Sequence, residues 1–160
     1  MRRTIVAAVS AALGALFAVP AGAQEAAQTQ AECTIQFRGS DFMLQALGAH
    51  LEPFPGYFPL CERLRERGMG VSVLDGHGLV GEAKFGMAMI RLFDQSTGAE
   101  GARYATNSLF SQAPADDVEA YLLAHTIMIV LDDIAGEMES YVASVDSEND
   151  RLRTFFGGGA

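Results

Sequence analysis

The sequence predicts an α+β domain: a short antiparallel β-meander of about three strands, covered by a long C-terminal helix and preceded by two short N-terminal helices. Three observations carry this. Apolar residues recur at alternating three- and four-residue spacing from Tyr121 to Val145, the signature of a helix with one buried stripe. Between Val71 and Phe110, apolar, β-branched and aromatic runs are separated by glycine turns, which favours strands. Between Ser40 and Gly68, apolar residues at helical spacing are punctuated by prolines and glycines, which favours two short helices.

The chain has 160 residues, enough for one compact domain with a substantial core. Its first 23 residues read as an export signal: Arg2 and Arg3, an apolar run from Ile5 to Val19, then Ala21-Gly22-Ala23 before Gln24. The run is too short to remain as a spanning anchor, so the expected mature chain begins at Gln24 in the periplasm or outside the cell, with no stable membrane anchor. The short alanine-rich leader suggests a bacterium. Residues 24–32 are a polar lead-in, 33–154 the domain and 155–160 a flexible tail. In an oxidising compartment Cys33 and Cys61, the two cysteines, are expected to pair, which stabilises by about 3 to 4 kcal/mol through loop closure.

Element by element, Thr34 to Arg38 is a short β-like run. Ser40 caps a helix from Asp41 to about Leu51, ended by Pro53, Pro55 and Gly56. A second helix begins near Pro59 and stops at Gly68. The first strand holds Val71 and Val73 and leaves through Asp75-Gly76-His77-Gly78. Phe85 to Phe93 forms the second, because Gly81 and Gly86 weaken the competing helix over Glu82 to Phe93 by about 1 kcal/mol each relative to alanine. A third runs from Ala102 to Phe110. Pro114 to Asp117 opens the long helix.

Charge excludes some functions. Lys and Arg number 11 against 20 Asp and Glu. Loss of the two leader arginines leaves nine against 20, a net charge of −11. With Lys84 the sole lysine, the surface cannot supply the clustered cations that phosphate contacts need, so nucleic acid is excluded as a partner.

Few patterns carry chemistry. Gly76-His77-Gly78-Leu79-Val80-Gly81 matches a dinucleotide-binding spacing, but no helix and acid-bearing strand follow at the right distance, so it reads as turn glycines. His50, His77 and His125 share no ligand spacing. His125, amid Leu122, Leu123, Ile127 and Ile129, reads as a core residue. Asp132, Asp133, Glu137 and Glu139 lie too close on one helix to flank a sugar as paired acids. Gly39-Ser40-Asp41 reads as a cap and not as a nucleophile. No catalytic, cofactor or metal residues are therefore assigned.

Two features remain. From Asp116 to Asp150 there are ten acids and no base, and Phe54, Tyr57 and Phe58 stand in a stiff proline-bounded loop. Asp132, Asp133 and Glu137, with Phe54, Tyr57 and Phe58, are the candidate partner-binding residues of a non-enzymatic binding or inhibitory module that meets a basic envelope or secreted protein. The alternative is a small apolar-ligand carrier with a pocket between sheet and helix lined by Met87, Met89 and Met128. The apolar stretch of the C-terminal helix also leaves room for a homodimer. Export is checked by N-terminal sequencing and intact mass. The mature form should start at Gln24 and weigh two hydrogens less before reduction than after it; Met1 on the abundant form, or two free thiols, would defeat this reading.

Overall fold

The structure, a computed structural model, describes residues 33–157. The predicted signal, the lead-in and residues 158–160 lie outside them. The described chain is α+β, with four helices and a four-stranded sheet. In order it runs β1 (Phe37–Arg38), α1 (Asp41–His50), α2 (Tyr57–Glu66), β2 (Met69–Val80), β3 (Ala83–Asp94), β4 (Ala105–Ser111), α3 (Val118–Gly136) and α4 (Met138–Gly157). The strands lie side by side in sequence order. The three expected antiparallel strands are present as β2, β3 and β4, but the sheet is not a pure meander. β1 adds a fourth strand parallel to β2, with Phe37 opposite Val71. Because α1 and α2 intervene, this is a crossover pairing that no local pattern announces.

Local chemistry explains most element boundaries. Ser40 caps α1 by accepting from the Met43 N–H at 3.0 Å, while its hydroxyl donates to Asp75 at 2.9 Å. α2 starts at Tyr57 and holds Pro59 in its first turn, where the missing N–H costs no helical bond. Asp75-Gly76-His77-Gly78 does not turn the chain. β2 continues through it to Val80, and the two-residue turn is Gly81-Glu82, joining Val80 to its partner Ala83. Gly81 has φ 63°, which suits a tight hairpin that matches strand twist. With a strand following it and not a helix, the glycine series is a hairpin.

The predicted single C-terminal helix is two. The chain breaks at Glu137 (φ −123°, ψ 23°), after Gly136, and restarts at Met138; the apolar spacing continues across the break and hid it. α4 also carries Phe155 and Phe156, expected in a flexible tail, as helical and exposed residues.

The core lies on one side of the sheet. Val71, Val73, Ala88, Ile90 and Leu92 face Leu123, Ile127, Val130 and Ile134 of α3, all buried, and α1 packs on α3 through Met43, Ala46 and Leu47. The tightest approach is at Gly86, where a Cβ would stand 2.4 Å from the Leu123 nitrogen and 2.7 Å from the Leu122 carbonyl carbon. Beside it the buried Thr126 hydroxyl shares its proton between Leu122 O (2.7 Å) and Gly86 O (3.2 Å). Cys33 and Cys61 form a disulfide, both buried, that ties the entry to β1 to α2. Tyr57 donates to the Cys33 carbonyl, and its burial raises the phenol above its ordinary value.

Arginines hold α4. Arg103 pairs with Glu137, donates to Ser140 and lies over the Tyr141 ring, while Arg63 reaches Glu139 and Arg67 reaches Asp146. Where β3 ends, Asp94 accepts from the Ser96 hydroxyl and from the N–H groups of Ser96 and Thr97, and Asn149 of α4 donates to it at 3.0 Å. These bonds, the Ser96 hydroxyl foremost, lower its pKa from 3.8 to about 2 against an opposing effect of burial.

Two stability predictions follow from these contacts. Gly86→Ala forces backbone apart and should cost at least about 2 kcal/mol in denaturant unfolding, whereas Gly48→Ala, on an open helix surface, should gain up to about 1 kcal/mol. A lowered carboxyl pKa adds stability that is present above the ordinary value and lost as pH falls from 3.8 towards 2. Asp94→Asn should therefore flatten the acid limb of the stability curve across that window; parallel curves for the two proteins would contradict the assignment.

Candidate functional site

The outer face of α3 is set by the seating of its inner face. With Leu122, Leu123, Thr126, Ile127 and Val130 buried, helical spacing turns Tyr121, His125, Ile129 and Asp132 outward. His125 is consequently exposed, contrary to the core position expected for it. It stacks on Tyr121 with centroids 5.7 Å apart and planes at 9°, and His50 meets the same tyrosine edge-on at 6.0 Å. His77 stands apart, stacked on Phe42 at 3.8 Å. Among the described residues no three His, Cys, Asp or Glu side chains are grouped to hold a metal ion.

Between this face of α3 and the end of α1 with its following loop lies a groove of about 390 Å³, lined by His50, Glu52, Phe54, Tyr121, His125, Met128 and Asp132 among others. The loop is fastened there by the Glu52 N–H, which points at the Met128 sulfur at 3.4 Å. Asp132 also borders a second groove of about 590 Å³ with Pro59, Arg63 and Glu139, and its carboxylate lies so close to Gly56 that a Cβ there would stand 2.7 Å away. The Gly56 position thus lets the loop meet the acid.

The structure brings some candidate residues together and separates others. Phe54 and Asp132, from the aromatic loop and the acidic helix, line one groove. Tyr57 is buried and Phe58 half-buried against the core, so they serve packing. Asp133 is exposed and does not line either groove. Glu137 is bound by Arg103. The apparent run of ten free acids is therefore shorter in space: Glu137, Glu139 and Asp146 meet arginines distant in sequence, and Glu148 and Asp150 meet Arg151 and Arg153 one turn on. Asp116, Asp117, Glu119, Asp132 and Asp133 make no ion pair among the described residues, nor does Glu52. His50, His125 and Tyr121 were missed as groove residues; the i, i+4 spacing of Tyr121 and His125 was the available signal.

The pocket imagined between sheet and helix has a different geometry. Met87 and Met89 point to the opposite side of β3 from Ala88 and Ile90 and so away from α3, whereas Met128 lines the groove. At Gly86 helix and strand backbones touch. No described helix is long and apolar enough to cross a membrane. The chain matches no protein-family model, no curated protein and no solved structure.

Proposed function

We propose that the chain is a non-enzymatic binding module of the bacterial envelope, which takes a lysine or arginine side chain of a basic protein into the groove between α1 and α3. The observation that carries this reading is the pairing of two carboxylates free of ion pairs, Glu52 and Asp132, with aromatic surface in one groove. A cation suits both features. Carboxylates supply charge-assisted acceptors, and the faces of Tyr121 and Phe54 attract a cation through their ring quadrupoles. Tyr121 is 51% exposed, so the part of its ring that His125 does not stack on is accessible to a ligand. The net negative charge of the chain supports the same partner class by steering basic surfaces towards it. The Cys33–Cys61 disulfide is compatible with an exported protein.

The test uses fluorescent oligo-lysine and oligo-arginine peptides with a neutral acetyl-lysine control. Binding by anisotropy should be seen with the cationic peptides alone, and should weaken as the Debye length falls from ~30 Å at 0.01 M salt to ~8 Å at 0.15 M. Glu52→Gln with Asp132→Asn should weaken it about tenfold or more, at roughly 1 kcal/mol per lost contact. Asp133→Asn should change it little. Equal binding of the acetylated peptide, or no effect of the double substitution, would refute the groove as the site.

A further inference from the structure

The sheet has a second face that no element of the described chain covers. On it Leu74 of β2, Phe85, Met87 and Met89 of β3 and Phe110 of β4 lie together, as the registers Leu74–Met89 and Phe85–Phe110 require. Leu74 is 66% exposed, Phe110 59% and Met87 40%, in contrast to the buried Val71, Val73, Ala88, Ile90 and Leu92 of the opposite face. Phe93, at the β1 end, is roofed by the Arg38 guanidinium 3.7 Å above its ring and is buried; beyond it the roof stops. Clustered apolar exposure of this kind marks an interaction surface.

We propose that this face is covered by the same face of a second copy of the chain, giving an isologous dimer with two sheets packed face to face. Two arguments choose the occupant. The first is charge. A chain of formal charge −9 repels its own copies wherever carboxylates face each other, and the acids of α3 and α4 lie on the helical side. β4 (Ala105–Ser111) has no charged residue, and the apolar rows of β2 and β3 on this face carry no acid. Away from the β1 end, where the Glu100 carboxylate accepts from Ser72 at 2.9 Å, the open face is therefore where two copies meet without setting acid against acid. The second is area. Three strands ~4.8 Å apart, with about eight residues each at ~3.3 Å, make a face of roughly 14 by 27 Å. Side-chain relief raises this to about 600 Å² per copy, so a dimer would bury about 1,200 Å², at the lower edge of stable interfaces. Self-pairing about a twofold axis also suits a face that meets its own image, and aligned sheets pack at about 10 Å with interdigitated side chains. The apolar stripe of α3, the other surface with dimer character in the sequence, is already used against the sheet and α1.

Sedimentation equilibrium of the mature, disulfide-bonded chain tests this. The protein should show a concentration-dependent mass rising to twice that of the chain. Leu74→Glu with Phe110→Glu, and separately Met87→Lys, should weaken dimerisation tenfold or more with circular dichroism and melting retained, because all three positions are exposed in the protomer. A chain that stays monomeric up to millimolar concentration overturns the proposal. So does a dimer indifferent to all three substitutions, or a monomer that floats with phosphatidylcholine vesicles, which would assign the face to lipid.

Discussion

The contact on which the rest of the molecule depends is the seating of α3 on the backbone of β3. Helices usually rest on sheets through side chains; here Gly86 removes the side chain, so backbone meets backbone, and the Thr126 hydroxyl, bonded to Leu122 O of its own helix at 2.7 Å, also reaches the Gly86 carbonyl at 3.2 Å. The absent Cβ at 86 sets how closely the helix lies on the strand. Once α3 is held there, one face of the sheet is sealed by Leu123, Ile127 and Val130, and the phase of the helix decides that Tyr121, His125 and Asp132 face out. The groove follows from a contact on the far side of the same helix.

That dependence explains what was legible in the residues and what was not. Features decided within a few residues were readable: the Ser40 cap, the β identity of Phe85–Phe93 against its alanine and methionine content, and the buried stripe of the C-terminal helices. The Cys33–Cys61 link was expected from reading the leader as an export signal, and the two cysteines are paired. Features decided by distant partners were not. The β-like run from Thr34 to Arg38 was readable and holds β1, but its parallel pairing with Val71 and Ser72 across two helices was not. His125 looked like a core residue since its sequence neighbours are apolar, yet one residue is 100° of helical rotation, enough to move it from the core to the surface.

Charge shows the same division. A window from Asp116 to Asp150 without a base suggested a stripe of uncompensated acid. Arg63 of α2, Arg67 just beyond it and Arg103 of the loop before β4 fold onto that stripe and pair with Glu139, Asp146 and Glu137. These pairs are partly exposed and individually worth little, so their main effect is positional: they lay α4 against the body and leave the negative potential concentrated at the α3 end, where Asp132 stands beside aromatic rings.

The glycine at 86 and the glycine at 56 therefore act at two levels of one construction. At 86 the absent side chain lets α3 approach the sheet, and at 56 it lets the aromatic loop approach the Asp132 carboxylate. The first fixes which face of the helix is outward; the second brings Phe54 to that face. Because the groove is built on the helical side of the sheet and the uncovered apolar strands lie on the other, a ligand in the groove and a second sheet against the strands make no competing claim on the same residues. Occupation of both at once is sterically open, and a dimer joined through its sheets would present two grooves outward, the arrangement in which a partner with several cationic segments gains most from simultaneous contact.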